Sequence, residues 1–204
     1  MESWLGVLAL GLAAFVSTNV DGLLVLMIFF ADAEIAPPQI VAGQLVATVL
    51  WIAISVAASA AAVTLPTRWL ALLGIIPIAL GSSKLKALRS ASAGAMDERA
   101  EVEMAARRSL QRTRSRVSAV ALVALANGGD NVAVYIALFS ISTPNQIAAF
   151  VVVFLTLAIA WCMLAYYLVR RTWLGAQIEQ YGERALPFIL MGLGLYIGAK
   201  ALRG

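Results

Sequence analysis

The sequence predicts an all-α membrane protein with six transmembrane helices arranged as two inverted three-helix repeats. The repeats occupy residues 1–88 and 117–204, and a charged linker at 89–116 joins them. Three observations lead there. Of the 204 residues, 62% are hydrophobic and only 13% charged, whereas soluble domains carry roughly a quarter charged residues. The apolar residues fall into six runs, each near the length of about 20 residues that crosses a bilayer. Finally, each half has an acid inside its first run, Asp21 and Asp130.

Span 1 covers residues 4–30 and carries Ser17, Thr18, Asn19 and Asp21 in its second half. Met1-Glu2-Ser3 lacks the basic start of a secretory signal, and the apolar run behind it is too long for one. A short acidic turn with Asp32 and Glu34 follows. Pro37 and Pro38 suit the first turn of a helix, where a missing N–H costs nothing, so span 2 runs over 39–63. Residues 64–67 form a tight turn, and span 3 covers 68–88 with a kink expected at Pro77. Segment 89–116 places Asp97, Glu98, Glu101 and Glu103 ahead of Arg107, Arg108, Arg112, Arg114 and Arg116. That order suits a helix dipole, and Glu103 with Arg107 makes a supportive i,i+4 pair. The segment therefore reads as a solvated, partly helical linker.

Span 4 covers residues 117–139 and contains Ala126-Asn127-Gly128-Gly129-Asp130-Asn131. A carboxylate at the centre of a span costs a few kcal/mol or more, so an intramembrane acid marks a functional site by default. Paired glycines weaken the helix there and let backbone groups turn toward a ligand. Thr143-Pro144-Asn145-Gln146 has the form of a capping box and opens span 5, at 146–169. Residues 170–184 read as a polar loop with Trp173 and Tyr181 as interfacial anchors. Span 6 covers 185–202, where Gly194 and Gly198 have the spacing that permits close helix contact.

Lys and Arg set the orientation. Twelve lie on the side of the turns after spans 1, 3 and 5, counting Lys84 with the linker, and three (Arg68, Lys200, Arg203) on the other. The positive-inside rule then puts 89–116 in the cytoplasm and both termini outside. The chain has no histidine and a single cysteine, Cys162. This excludes a Cys/His zinc site, histidine-ligated haem, an internal disulfide and a two-cysteine redox relay. No nucleophile–base pair stands out, so an enzyme is not expected.

The two halves correspond. Asp21 aligns with Asp130, Phe30 with Phe139, Gln39-Ile40 with Gln146-Ile147, and Gly81 with Gly198. With an odd number of spans each, the second half is inverted, which is the arrangement that places a transporter's binding site at the midplane. Each acid lies nine residues before its Phe, so at about 1.5 Å per residue both fall near the same depth. Asp21, Asp130, Asn131, Asn127, Asn19 and Thr18 together offer carboxylate, amide and hydroxyl oxygens, a ligand set for a hard divalent cation. Two acids held close also favour keeping a proton when no cation is bound, which would link cation release to proton uptake.

Thr18-Asn19-Val20-Asp21 with the apolar run 23–30 resembles a signature stretch of the cadmium resistance transporter family, within the lysine-exporter superfamily. The stretch from Ala126 to Val132 with Val134-Tyr135-Ile136 resembles the other, and Ile76-Pro77-Ile78-Ala79-Leu80-Gly81 also fits. The sequence departs at Gly22, where such proteins often carry another polar residue. The resemblance implies efflux of cadmium or a related divalent cation across the plasma membrane. The cation is then the transported substrate and no cofactor is required. The partners are that ion and the lipid bilayer, with no nucleic acid, and a homo-oligomer is left open. Cadmium is soft, yet thiolate and imidazole are missing. Met27, Met163, Met191 and Cys162 read as packing residues. Oxygen ligands suit manganese, calcium or magnesium at least as well, and a carrier that must release its ion need not bind it tightly. Two alternatives carry the same acids: an amino-acid or organic-cation exporter of the superfamily, and a membrane assembly protein using them as interhelical glue.

Overall fold

A computed structural model describes residues 4–62, 72–90, 94–170 and 172–203. Among these residues the chain forms eight helices and no strand: α1 (Trp4–Ala31), α2 (Pro37–Ala62), α3 (Ile75–Ser90), α4 (Gly94–Arg112), α5 (Arg116–Asn127), α6 (Gly129–Ser140), α7 (Pro144–Val169) and α8 (Thr172–Arg203). Three of them, α1, α2 and α7, are long and apolar enough to cross a membrane. A fourth crossing arises if α5 and α6, bent by 66° at their junction, count as one broken span. The other two expected spans fall short by this measure. Helix α3 has 16 residues and carries Lys84 and Lys86. The apolar part of α8 is limited to Pro187–Leu202. At about 1.5 Å per residue each spans roughly 24 Å, less than the hydrocarbon thickness of about 30 Å. The expected start of span 3 at Arg68, and the turn at 64–67, lie outside the described residues.

Local signals account for most boundaries. Pro37 and Pro38 occupy the first turn of α2. Thr143 caps α7 by accepting the Gln146 N–H, while Gln146 accepts the Thr143 N–H at 2.9 Å, completing the capping box. The interruption expected near Pro77 is a turn at Gly74, three residues before it, which leaves Pro77 in the first turn of α3, where no N–H is required. The stretch 172–184, expected as a loop, is helical and continuous with α8. Its Leu, Ala, Gln and Glu residues have good helix propensity, and their polarity alone does not end a helix. The side chains of Trp173 and Tyr181 lie outside the described residues.

Packing relies on glycine where backbones meet. A side chain at Gly74 would lie 2.6 Å from the Gly194 carbonyl oxygen, and one at Gly81 would lie 2.7 Å from that of Pro187. Helices α3 and α8 thus touch backbone to backbone, and each is the other's principal neighbour. Likewise α2 meets α5 at Gly43, against Val120, and α1 meets α7 at Gly11, against Phe150. Helix α2 also packs on α6, and α1 on α8. A row of rings fills the centre, with Tyr135 stacked on Phe154 at 4.3 Å and Phe15 edge-on to Trp161 at 5.8 Å. Outward positions such as Leu5, Leu12, Val49, Ile54, Val152 and Leu195 are exposed and apolar, as a lipid-facing surface requires.

The linker helix α4 is solvated on one side only. Glu103 and Arg107 pair at 2.7 Å on its exposed face. Its Ala106 is buried against a cluster containing Leu26, Phe29, Ile40 and Val123, with Val102 and Leu110 packed beside it. Arg116, where α5 begins, reaches Glu34 in the turn after α1 at 3.3 Å. Such exposed pairs contribute at most about 1 kcal/mol, so the apolar face is what holds α4 down.

Candidate functional site

The site begins with a broken helix. Helix α5 ends at Asn127 and α6 starts at Gly129, leaving Gly128 as the cap of both. Gly128 is needed for space: a Cβ there would stand 2.1 Å from the ring of Trp51 on α2. Gly129 is different, since a Cβ at that position would meet nothing within 4 Å. The break makes Asp130 a first-turn residue of α6, where the positive end of the helix dipole favours an acid. Its Oδ1 accepts the backbone N–H of Asn131 at 3.0 Å.

Asp21 reaches the same place from the third quarter of α1. Lys84, from α3, donates to Asp21 Oδ2, and its Nζ also lies 3.4 Å from Asp130 Oδ2. One ammonium thus contacts both carboxylates, brought from three helices distant in sequence. Two carboxylates and one ammonium leave one unit of negative charge. The three side chains remain partly accessible, at 32% for Asp21, 24% for Lys84 and 12% for Asp130.

The amides and hydroxyl expected as ligands are arranged otherwise. Asn131 Oδ1 accepts from Thr18 Oγ1 at 2.6 Å, Asn19 Nδ2 at 2.7 Å and the Tyr135 hydroxyl at 3.2 Å. Asn19 Nδ2 also donates to the Phe15 carbonyl at 2.9 Å. All four residues are buried. Their polar atoms need these bonds, because an unmet buried donor costs about 1–3 kcal/mol. This knot fastens α1 to α6 beside the acids, Asn131 one residue from Asp130 and Asn19 two from Asp21. The carbonyl of Asn19 accepts the indole N–H of Trp161 at 2.7 Å, which ties α7 to the same turn. Asn127 closes α5, partly exposed, and has no part in the knot. At Gly22, where the sequence departs from the family pattern, a side chain would approach only Asn19 Oδ1 at 4.0 Å, so no steric need explains the glycine.

Among the described residues no three His, Cys, Asp or Glu side chains form a cluster fit to hold a metal. Two of the sulfur-bearing residues lie in apolar surroundings. Cys162 is buried in the apolar cluster beside Leu23 and Leu26, and Met163 is 55% exposed on the outside of α7.

Lys84 is the residue that sequence reasoning missed, having been counted with the linker as a topogenic charge. The signal was present: Lys84 falls within the 68–88 run, and an ionisable residue inside a span marks a functional site in its own right. Removing it from the charge count leaves eleven against three, so the bias keeps its sign.

A search of curated proteins and of solved structures finds no match to the chain. A family model described as cadmium resistance transporter matches residues 15–201, nearly the whole chain and both acids. The chain therefore belongs to the cadmium resistance transporter family.

Proposed function

We propose that the protein exports cadmium or a related divalent metal cation, through a site whose charged ligands are Asp21 and Asp130. The observation that carries this reading is the meeting of two carboxylates on one ammonium inside an otherwise apolar bundle. Acids are kept inside membranes at a cost and serve ion pathways when they are. Oxygen ligands bind a soft ion weakly enough to release it. Thr18, Asn19 and Asn131 hold the two acid-bearing helices together. The oxygens of Thr18 and Asn131 can join the ligand set only when the knot opens, whereas Asn19 enters the knot through Nδ2 and keeps Oδ1 on the side of Gly22.

The reading includes six spans in two inverted repeats, with α3 and α8 completing the third and sixth. Support comes from the packing: α1 lies on α7 as α2 lies on α5 and α6, while α3 and α8 pair with each other. Exchanging the halves maps this pattern onto itself. Trp51 on Gly128 and Trp161 on Asn19 are similar contacts, since Gly128 and Asn19 hold equivalent places before the two acids and the tryptophans lie within one turn of equivalent places on α2 and α7. The site then lies near the midplane of the plasma membrane, with both termini outside and 89–116 cytoplasmic. Proton movement in the opposite direction is the proposed driving force. A departing divalent ion leaves negative charge in an apolar surround, and protons can replace part of what it carried.

The test is efflux from proteoliposomes containing the full chain, with cadmium, manganese and zinc offered separately, with and without a pH gradient. Efflux of at least one ion, accelerated by the gradient, is expected. Movement of a primary amine with no metal transport would select an organic-cation exporter instead.

A further inference from the structure

We infer that Lys84 is a tethered stand-in for the transported ion: its ammonium occupies the ion's place in the empty carrier, and a divalent cation displaces it. This rests on the reading of Asp21 and Asp130 as the cation's ligands. Three observations support it. The ammonium contacts Oδ2 of both acids, the position a bridging cation would take. The lysine comes from α3, and the acids from α1 and α6, so the charge that joins them can leave without breaking either acid's helix. All three side chains keep some access to the surface, which gives the ammonium somewhere to go. A lysine ammonium on its flexible four-carbon stem suits this role better than a planar guanidinium, which grips two carboxylates through a rigid fork of donors.

The consequence is selectivity by charge. A monovalent ion attracts the acid pair no more strongly than the ammonium does, and the ammonium competes at the effective concentration its tether sets. A divalent ion brings twice the charge, and Coulomb attraction rises in proportion. Only the divalent ion can displace the lysine. When it departs, the ammonium returns and restores positive charge to the acids, so release does not leave them bare. The price of easy release is weaker binding.

The experiment measures equilibrium binding of cadmium chloride and of manganese chloride to the purified full-length protein, at several potassium chloride concentrations. Efflux from proteoliposomes is measured alongside. Lys84→Gln should bind the divalent ion about tenfold or more tightly, since it lacks the tethered competitor. Its binding should become sensitive to potassium, and its maximal efflux rate should fall because release is slowed. Lys84→Arg, which keeps the charge that folding needs, should bind about threefold or more weakly, because the guanidinium is harder to displace. Should Lys84→Gln fail to fold, the arginine variant decides: weaker binding supports the inference and equal or tighter binding overturns it. A folded Lys84→Gln protein with unchanged or weaker affinity overturns the inference alone, making Lys84 a structural clamp. A wild-type protein that neither binds nor moves a divalent cation overturns the transport reading, and this inference with it.

Discussion

The two acid-bearing segments support the same chemical group by different means. Helix α1 runs unbroken for 28 residues through Asp21, whereas the helix pair α5–α6 breaks at Gly128 and restarts, bent by 66°, just before Asp130. Asp21 therefore depends on a side chain, Lys84, for its charge partner. Asp130 has Lys84 as well, together with the Asn131 N–H and the start of a helix. It is also the less exposed of the two, at 12% against 32%. A carboxylate held by backbone keeps its place when the lysine leaves, and one held by a side chain does not. On the proposed reading, α6 carries the fixed part of the site and α1 the adjustable part.

Removing charge breaks the comparison most sharply. Asp130→Asn preserves shape but leaves Lys84 and any incoming ion short of one charge. Loss of one partner of a desolvated pair costs about 3–5 kcal/mol, so metal efflux at matched protein incorporation should fall about a hundredfold or more. Asp21→Asn should act in the same direction and retain more residual efflux. Equal, wild-type rates for both would remove the acids from the mechanism.

Next in size is the break itself. Gly128→Ala forces a methyl into the Trp51 ring, and overpacking of this kind costs about 1–3 kcal/mol. A lower melting temperature in detergent is expected. Trp51→Leu in the same chain should recover part of it, a coupling that a double-mutant cycle measures.

The knot sharpens the comparison at lower cost. Asn131→Ala leaves donors from Thr18, Asn19 and Tyr135 without their shared acceptor, a loss of about 1–3 kcal/mol. Tyr135→Phe should cost less. A carbonyl oxygen has two lone pairs for these three donors, so the other two remain satisfied. Chemical denaturation in mixed micelles, compared between the two variants, checks the order. The smallest effect belongs to Gly129→Ala, which meets open space and replaces glycine by a better helix former at the first position of α6. Stability should hold or rise by at most about 1 kcal/mol. A large loss there would mean that the break needs two glycines, and that the contrast with the unbroken α1 lies in flexibility more than in the fit against Trp51.

Much of this was legible from residue types. The apolar runs, the prolines opening α2 and the Thr143–Gln146 capping box are local signals whose physics acts within a few residues. The acids stood out because a charge in an apolar run is costly wherever it lies. What escaped depended on which helices meet. Nothing near Gly128 in sequence announces Trp51, and the one-sidedness of α4 shows only when α1 is laid against Ala106. The division of the polar residues into a charged pair and an amide knot was illegible for the same reason: oxygens look alike as ligands until their hydrogen-bond partners are known. Lys84 was overlooked because its position close to a basic linker disguised it as one more loop charge.

The glycine contacts of α3 have a mechanical meaning. Where Gly74 meets Gly194 and Gly81 meets Pro187, a Cβ on the glycine would stand 2.5–2.7 Å from the facing carbonyl oxygen, with Ile78 and Met191 packed beside these contacts. Close-packed contacts of this kind transmit displacement with little slack. Helices α3, which carries Lys84, and α8 are therefore closely joined. Any backbone movement of α3 that draws the ammonium off the acids must carry α8 with it, and α8 packs in turn on α1. The charge at the centre and the position of the chain's last helix are thereby geared together.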